Sequence, residues 1–342
     1  MPLRFRNKLL NSVDRIPSGL KKIDVQRAEQ RNERNFSFKI QKLYSFSPKT
    51  LTTNTSYLDG VSVAYSLKDL FGTGQNVIEV QSSSPFSETD PDNTRSFTAE
   101  EITNGTLVDF CVEKNYDGWV RKLYDQKNEN DAIVFGTGIS SCPKIVKDGA
   151  LISSPVNGLP AIEVGGNDLL LLNWSDSAIA ADGQFSVFNV MQNDSGANVT
   201  ESIYLEIRSQ NNFSAEPVEA DINVMNKIQI GESNNQLLYF VDDSLNSYST
   251  VQNSIVISSH IFNDEQFDEE NNGTAKLYIN GVLEDTRGFT RHLNQYFNDG
   301  SQILGSTQST LDNVYFQEFL FYPSDKTDSR ELIESNLSIY SA

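Results

Sequence analysis

Sulfur and imidazole are nearly missing from this chain: its 342 residues hold two cysteines, Cys111 and Cys142, and two histidines, His260 and His292. Two cysteines so far apart make neither a disulfide scaffold nor a metal knuckle, so both read as buried, reduced thiols. Two imidazoles cannot build a multi-histidine centre, which removes most zinc hydrolases. Long apolar runs are missing too. The longest lies around DLLLLNW at 168–174, far short of the roughly 20 residues that cross a bilayer, so no membrane insertion is expected. The opening MPLRFRNKLLNSVDRIPSG has basic residues but no apolar core behind them, so it does not read as a secretory signal and cytoplasmic folding is expected. Phosphate loops and dinucleotide fingerprints are absent: FGTGQNV has two glycines but lacks the third.

What is present is an uneven charge. Residues 1–50 carry 12 Lys and Arg against 4 Asp and Glu, a net of +8, while the rest carries 15 against 42, a net of −27. A body this acidic repels phosphates, so no nucleic-acid partner is expected. Residues 1–50 show no sustained hydrophobic period, and are read as a basic docking arm that orders on a partner. Arg4, Arg6, Arg15, Lys21, Lys22, Arg27, Arg31 and Arg34 are its candidate contacts with acidic surface. The alternation of Phe36, Phe38 and Ile40 supports docking, since a shared strand face needs a cover.

From residue 56 to 342 the signals are those of one all-β domain, a two-sheet antiparallel sandwich with a few short helices. SVAYSLKDLFG (62–72) reads as a helix capped by Ser62 and ended by Gly72. NVIEV (76–80) reads as a strand, and FTAEEI opens a short helix with Thr98 and Glu101 as a capping box. Further strands are expected at 118–124, 131–135, 160–164, 168–173, 185–192, 202–208, 222–230, 236–241, 254–261, 275–280, 302–305 and 313–322. Asn280-Gly281 predicts a tight hairpin with Leu277 and Ile279 on one face. Beyond Pro323, a C-terminal helix is expected with Leu332, Ile333, Leu337 and Tyr340 in one stripe.

Taken in order, AYSLKDL, FTAEEITNGTLVDFC, GWVRKLYDQKNENDAI, CPKIV and NGLPAIEVGGNDLLLL (residues 62–172) resemble segments of bacteriophage virion proteins and of the fungal-type alpha-L-arabinofuranosidase catalytic domain. AKLYINGVLEDT, QILGS and NVYFQEFLFYPSDKTDSRELIESNLSIY resemble the closing strands and helix of laminin-G-like sandwiches in phage proteins. The resemblance implies a concanavalin A-like jelly roll. It departs after Tyr124-Asp125-Gln126, where relatives place a Ser-Gly-Asn-Gly type turn and this chain has Lys127, Asn128, Glu129 and Asn130. Losing both glycines makes positive φ costlier, so an altered loop is expected.

Tyr124, Asp125, Gln126 and Trp174 are the candidate ligand contacts; Asp125 and Gln126 read first as a corner that satisfies loop backbone, with contact to a sugar hydroxyl as the alternative, and Trp174 stays open between core and stacking on a sugar ring. Trp119 reads as core. No catalytic residue is assigned, because no segment beyond residue 185 aligns with the arabinofuranosidase carboxylates, whose spacing decides glycoside hydrolysis. No cofactor is expected. The loops SETDPDN (87–93) and NDEQFDEENNG (263–273) read as solvated charge, with calcium, which many lectin-type sandwiches bind, as the alternative. The expectation is a non-enzymatic virion structural protein, assembled in the host cytoplasm as a decoration, neck or tail-fibre-type module. It would dock to other virion proteins through its arm and offer a sandwich to host surface glycan. The alternative is an arabinofuranosidase-type glycoside hydrolase. Fibre-type proteins are commonly trimeric, which makes a homo-oligomer an alternative to the monomer, although no heptad array argues for it.

Overall fold

The structure, a computed structural model, describes residues 55–82, 93–114, 117–134, 142–164, 169–172, 184–193, 202–208, 227–233, 236–241, 244–249, 255–263, 273–289, 302–305 and 314–340. Among them lie nineteen strands and three α-helices. In chain order they are β1 (Val63–Ser66), β2 (Asn76–Gln81), β3 (Thr94–Thr98), α1 (Ala99–Thr103), α2 (Thr106–Lys114), β4 (Gly118–Leu123), β5 (Ala132–Val134) and β6 (Lys144–Lys147). Then come β7 (Ala150–Leu151), β8 (Ile162–Val164), β9 (Leu169–Leu172), β10 (Gln184–Asn193), β11 (Ser202–Arg208), β12 (Lys227–Ser233), β13 (Gln236–Val241) and β14 (Ser244–Ser249). The closing elements are β15 (Ile255–Asn263), β16 (Gly273–Ile279), β17 (Val282–Phe289), β18 (Gln302–Gly305), β19 (Val314–Tyr322) and α3 (Arg330–Leu337).

Every ladder between these strands is antiparallel, and the pairings form two layers, the sandwich expected from alternation and short spacing. One layer runs β17-β16-β15-β10-β19, with β1 and β8 sharing the far edge of β19. The other runs β3-β2-β4-β5-β9-β18-β11-β12-β13-β14. Strand β6 pairs with both β4 and β8, and so joins the layers at one side. Phe185, Phe262, Leu277, Phe319 and Phe321 from the first layer meet Val77, Ile78, Val80, Val120 and Leu123 from the second in one buried core.

The outer face of the first layer is buried as well. Phe188, Val190, Ile255, Ile257, Leu320 and Tyr322 pack under Ile333, Leu337 and Tyr340 of the C-terminal segment and under Tyr57 and Leu58. A register shift between β10 and β19 makes both faces compatible: Val190 pairs with Glu318 and Met191 with Phe316, leaving Gln317 as the extra residue. The bulge reverses strand parity, so Val314 and Phe316 stay on the inner face with Phe319 and Phe321. Glu318 is thereby sent outward, toward Tyr340.

Several expectations hold in detail. Residues 202–208, 236–241 and 302–305 form strands over the spans expected. The capping box is complete, with Glu101 N–H donating to the Thr98 side chain and the Glu101 carboxylate accepting from Thr98 N–H. Asn280 and Gly281 take φ of 48° and 85°, the left-handed pair that a two-residue hairpin requires. Cys111 and Cys142 are buried thiols outside any disulfide, and burial pushes the Cys111 thiol up to about 12.

Three expectations are corrected. Val63–Ser66 is a strand, not the start of a helix: the 3–4 spacing of Val63, Leu67 and Leu70 mimics a helical face, but all four residues of the segment are buried and pair with Glu318–Phe321. Tertiary pairing overrides the local pattern. Helix α2 was not expected after Gly105; Asn104 restarts the chain by accepting from Thr106 N–H at 3.0 Å. In α3, Ile333 and Leu337 are buried as expected, but Leu332 is 39% exposed and lies off the stripe.

Candidate functional site

Tyr124-Asp125-Gln126 leaves β4 and crosses to the edge of β1 that faces away from β19. Tyr124 N–H donates to Val77 O at 3.0 Å in the second layer, and Gln126 N–H donates to Ala64 O at 2.9 Å in the first. Asp125, 6% exposed, accepts from the N–H groups of Ala64 (2.9 Å), Lys127 (3.0 Å) and Asn128 (3.2 Å), and from the Asn130 side chain at 3.2 Å. Gln126 accepts from Leu70 N–H at 2.9 Å and donates to Ser66 O at 2.9 Å and Lys68 O at 2.7 Å. Asn128 donates to Ser62 O at 2.7 Å. Side chains here complete the edge of a strand whose ladder is one-sided, which buried backbone requires. Burial pushes the Asp125 carboxyl up, against the downward pull of the donated hydrogen bonds.

None of residues 127–130 adopts positive φ. The turn after Gln126 is closed by the Asp125 carboxylate, so the loop needs no left-handed residue. Tyr124 is half-buried, its hydroxyl 2.8 Å from Ser96 Oγ and Lys122 over its ring at 5.0 Å. Trp119 is buried, beside Cys142. Trp174, the eight basic arm residues Arg4, Arg6, Arg15, Lys21, Lys22, Arg27, Arg31 and Arg34, and all but the ends of the two acidic loops lie outside the described residues. The structure thus brings together Tyr124, Asp125 and Gln126 alone of the sequence's candidates.

Two polar clusters occupy the first layer. On its inner side His260 Nε2 lies 3.0 Å from Ser258 Oγ, which donates to Asn189 Oδ1 at 2.9 Å. All three residues are buried, and burial holds the His260 imidazole down at about 3, so it stays neutral at any ordinary pH. On the outer side the buried Glu318 carboxylate accepts from Tyr340 OH at 2.7 Å and Ser66 Oγ at 3.1 Å, with Lys68 Nζ at 3.8 Å. Burial draws the Lys68 ammonium down to about 8, opposed by the Glu318 charge. Burial and the same charge raise the Tyr57 and Tyr340 phenols.

A cleft of about 720 Å³ lies between α3, the first residues of β15 and the β16–β17 hairpin. Ile255, Ile257 and Val156 supply apolar walls; Asn280, Gly281, Arg330, Glu331, Glu334, Ser335 and Ser338 supply polar ones. Its volume lies within the roughly 300–1,000 Å³ typical of small-ligand clefts. Arg330 bonds Glu334 one turn later, donates to Gly281 O at 3.3 Å and stacks over Tyr278 at 4.0 Å. Ser259 Oγ donates to the other Glu334 oxygen at 2.7 Å. Sequence reasoning missed this cleft. The i,i+4 spacing of Arg330 and Glu334 and the Asn280-Gly281 turn were both readable, but not their meeting.

No family model matches the sequence, and no curated protein matches it. Among solved structures the chain is similar to a GH54 α-L-arabinofuranosidase soaked with a cyclic sulfate inhibitor, with 12% identity, a TM-score of 0.53 and coverage of 83% of this chain and 64% of that one. It is equally similar to an arabinofuranosidase complexed with arabinofuranosyl-α-1,2-xylobiose, at 14% identity and a TM-score of 0.52, again over 83% of this chain and 64% of that one. A third, the receptor-binding domain of botulinum neurotoxin D, has 11% identity and a TM-score of 0.38 over 57% of this chain and 50% of that one. The chain thus spans 64% of the length of the arabinofuranosidases it matches. The likeness establishes the fold, a jelly-roll β-sandwich. It also corrects the expectation of a non-enzyme: the two structures that share the fold over 83% of the chain are enzymes, and that expectation is withdrawn.

Proposed function

We propose that this sandwich recognises carbohydrate, as a module of a virion surface. The observation that carries the carbohydrate part is the shared fold over 83% of the chain with two arabinofuranosidases, one of them complexed with an arabinofuranosyl xylobiose. A fold does not by itself fix a function, so the site must carry the claim. A cleft of about 720 Å³ with apolar and polar walls is of the right kind for one or two sugar rings. The same likeness favours a second reading, hydrolysis of an arabinofuranoside.

What supports the virion placement is sequence: the resemblance of residues 62–172 to phage virion proteins, and the net +8 of residues 1–50 against the net −27 of the rest. In this reading the basic segment docks to acidic virion surface, contacts that salt weakens. The test is glycan-array binding and turnover of an aryl α-L-arabinofuranoside by the purified full chain. Saturable retention without turnover supports recognition, and turnover supports hydrolysis. A chain that retains no glycan and turns over no arabinofuranoside refutes both. Particle incorporation of a chain lacking residues 1–50 tests the arm, and normal incorporation would remove it.

A further inference from the structure

We infer that the cleft beside α3 seats a neutral saccharide, selected against acidic and basic ligands by the fixed Arg330–Glu334 pair. This seat presupposes the carbohydrate reading above and gives it a location and a charge class. Each member of the pair is held before any ligand arrives. Arg330 is anchored on Glu334, on Gly281 O and over the Tyr278 ring, and Glu334 is anchored again by Ser259. The two side chains are only 12% and 10% exposed, and their positions owe nothing to a partner molecule. A preformed site of this kind loses little conformational entropy on binding.

The charge class follows from what remains unfilled. Glu334 accepts hydrogen bonds from Ser259 and Arg330 where a carboxylate has about four lone-pair sites, and the Arg330 guanidinium has five N–H donors of which few are engaged. A hydroxyl both donates and accepts, so vicinal hydroxyls can bridge an acceptor and a donor set side by side. A carboxylate or phosphate ligand would meet Glu334 and Glu331, the latter 89% exposed at the mouth with Arg330 at 3.5 Å. An ammonium would meet the guanidinium. Val156, 45% exposed, supplies the accessible apolar surface of the cleft for the C–H face of a ring, and Ile255 and Ile257, each 4% exposed, add only their edges.

Ser335 lines the cleft from an exposed helix position, so Ser335→Trp occupies the cleft while leaving every core residue and both members of the ion pair in place. Calorimetry with arabinofuranosyl-xylobiose is expected to show binding by the unmodified chain and at least about tenfold weaker binding by Ser335→Trp, or ~1.4 kcal/mol. The melting temperature should be unchanged. An oligogalacturonate of equal length should bind more weakly than the neutral probe. Amide shift mapping on the unmodified chain gives a second reading independent of the variant, with changes expected at 255–257, 280–281 and 330–338. Neutral-sugar binding that Ser335→Trp leaves intact, or shifts confined elsewhere, overturns this seat while the carbohydrate reading stands. Tighter binding of the galacturonate overturns the charge class. Binding to no saccharide at all overturns both. Concentration-dependent self-association that Ser335→Trp abolishes, without saccharide competition, assigns the cleft to a second copy instead.

Discussion

Lowering the pH from 8 to 5 crosses the ordinary histidine range, and this protein has two histidines. His260 sits in the core against Ser258, and burial holds its imidazole at about 3, against 6.5 when unfolded. A lowered value means the unfolded chain takes up the proton first. Stability is therefore full above pH 6.5 and falls as pH drops toward the folded value. The loss is about 2 kcal/mol by pH 5 and approaches about 4 kcal/mol near pH 3.5, from the difference in bound protons. Urea denaturation at pH 8, 6.5 and 5 measures it. His260→Gln keeps an Nε2 near Ser258 and removes the titration, so its stability should change by under about 0.5 kcal/mol over the same range. His292→Asn serves as the control and should retain the full slope. Equal slopes for the unmodified chain and His260→Gln would refute the reasoning, as would a His260 imidazole proton resonance that titrates near 6.5.

Asp125→Asn replaces an acceptor that faces only donors, and is expected to cost about 3 kcal/mol by chemical denaturation; a loss under about 1 kcal/mol would remove Asp125 as the closing group of the corner. Gly118→Ala places a methyl 2.7 Å from Cys111 Sγ and 3.1 Å from the Val80 side chain, buried core groups that yield little. It should cost about 2 kcal/mol, and adding Cys111→Ala should recover part of that, so fully additive losses would count against the contact. Lys68, drawn down to about 8, should acylate with a midpoint near pH 8 in mass-spectrometric footprinting, and Glu318→Gln should lower the midpoint further by removing the charge that opposes burial. A midpoint near 10, the surface-lysine value, would contradict the burial of Lys68.

The parts of the fold that could be read in advance share one trait, which is that their causes lie within a few residues. Thr98 and Glu101 cap a helix three residues apart, and Asn280-Gly281 turns a hairpin whose flanking alternation continues into Leu277 and Ile279. The errors share the opposite trait. Val61 to Leu70 has a helical spacing of apolar residues and nothing local forbids a helix. Its residues 63–66 become a strand because β19 waits 252 residues away in sequence, at the Ser66–Glu318 contact, with Asp125, Gln126 and Asn128 meeting polar groups of the edge. Ser66 and Glu318 were unremarkable in the sequence, since nothing there showed that a bulge at Gln317 would turn the carboxylate outward onto Tyr340.

Composition, charge and alternation by themselves determined that this chain is an acidic all-β sandwich with a basic leading segment and without a multi-histidine metal centre. Those properties depend on residue type and short-range spacing, and they survive any particular topology. Tertiary structure decided which polar groups meet. Ala64 reaches Asp125 across 61 residues and Ser259 reaches Glu334 across 75. Such pairs form only once both strand layers and α3 have closed around the core, because buried backbone and charge take whichever partner the packing brings within hydrogen-bond distance.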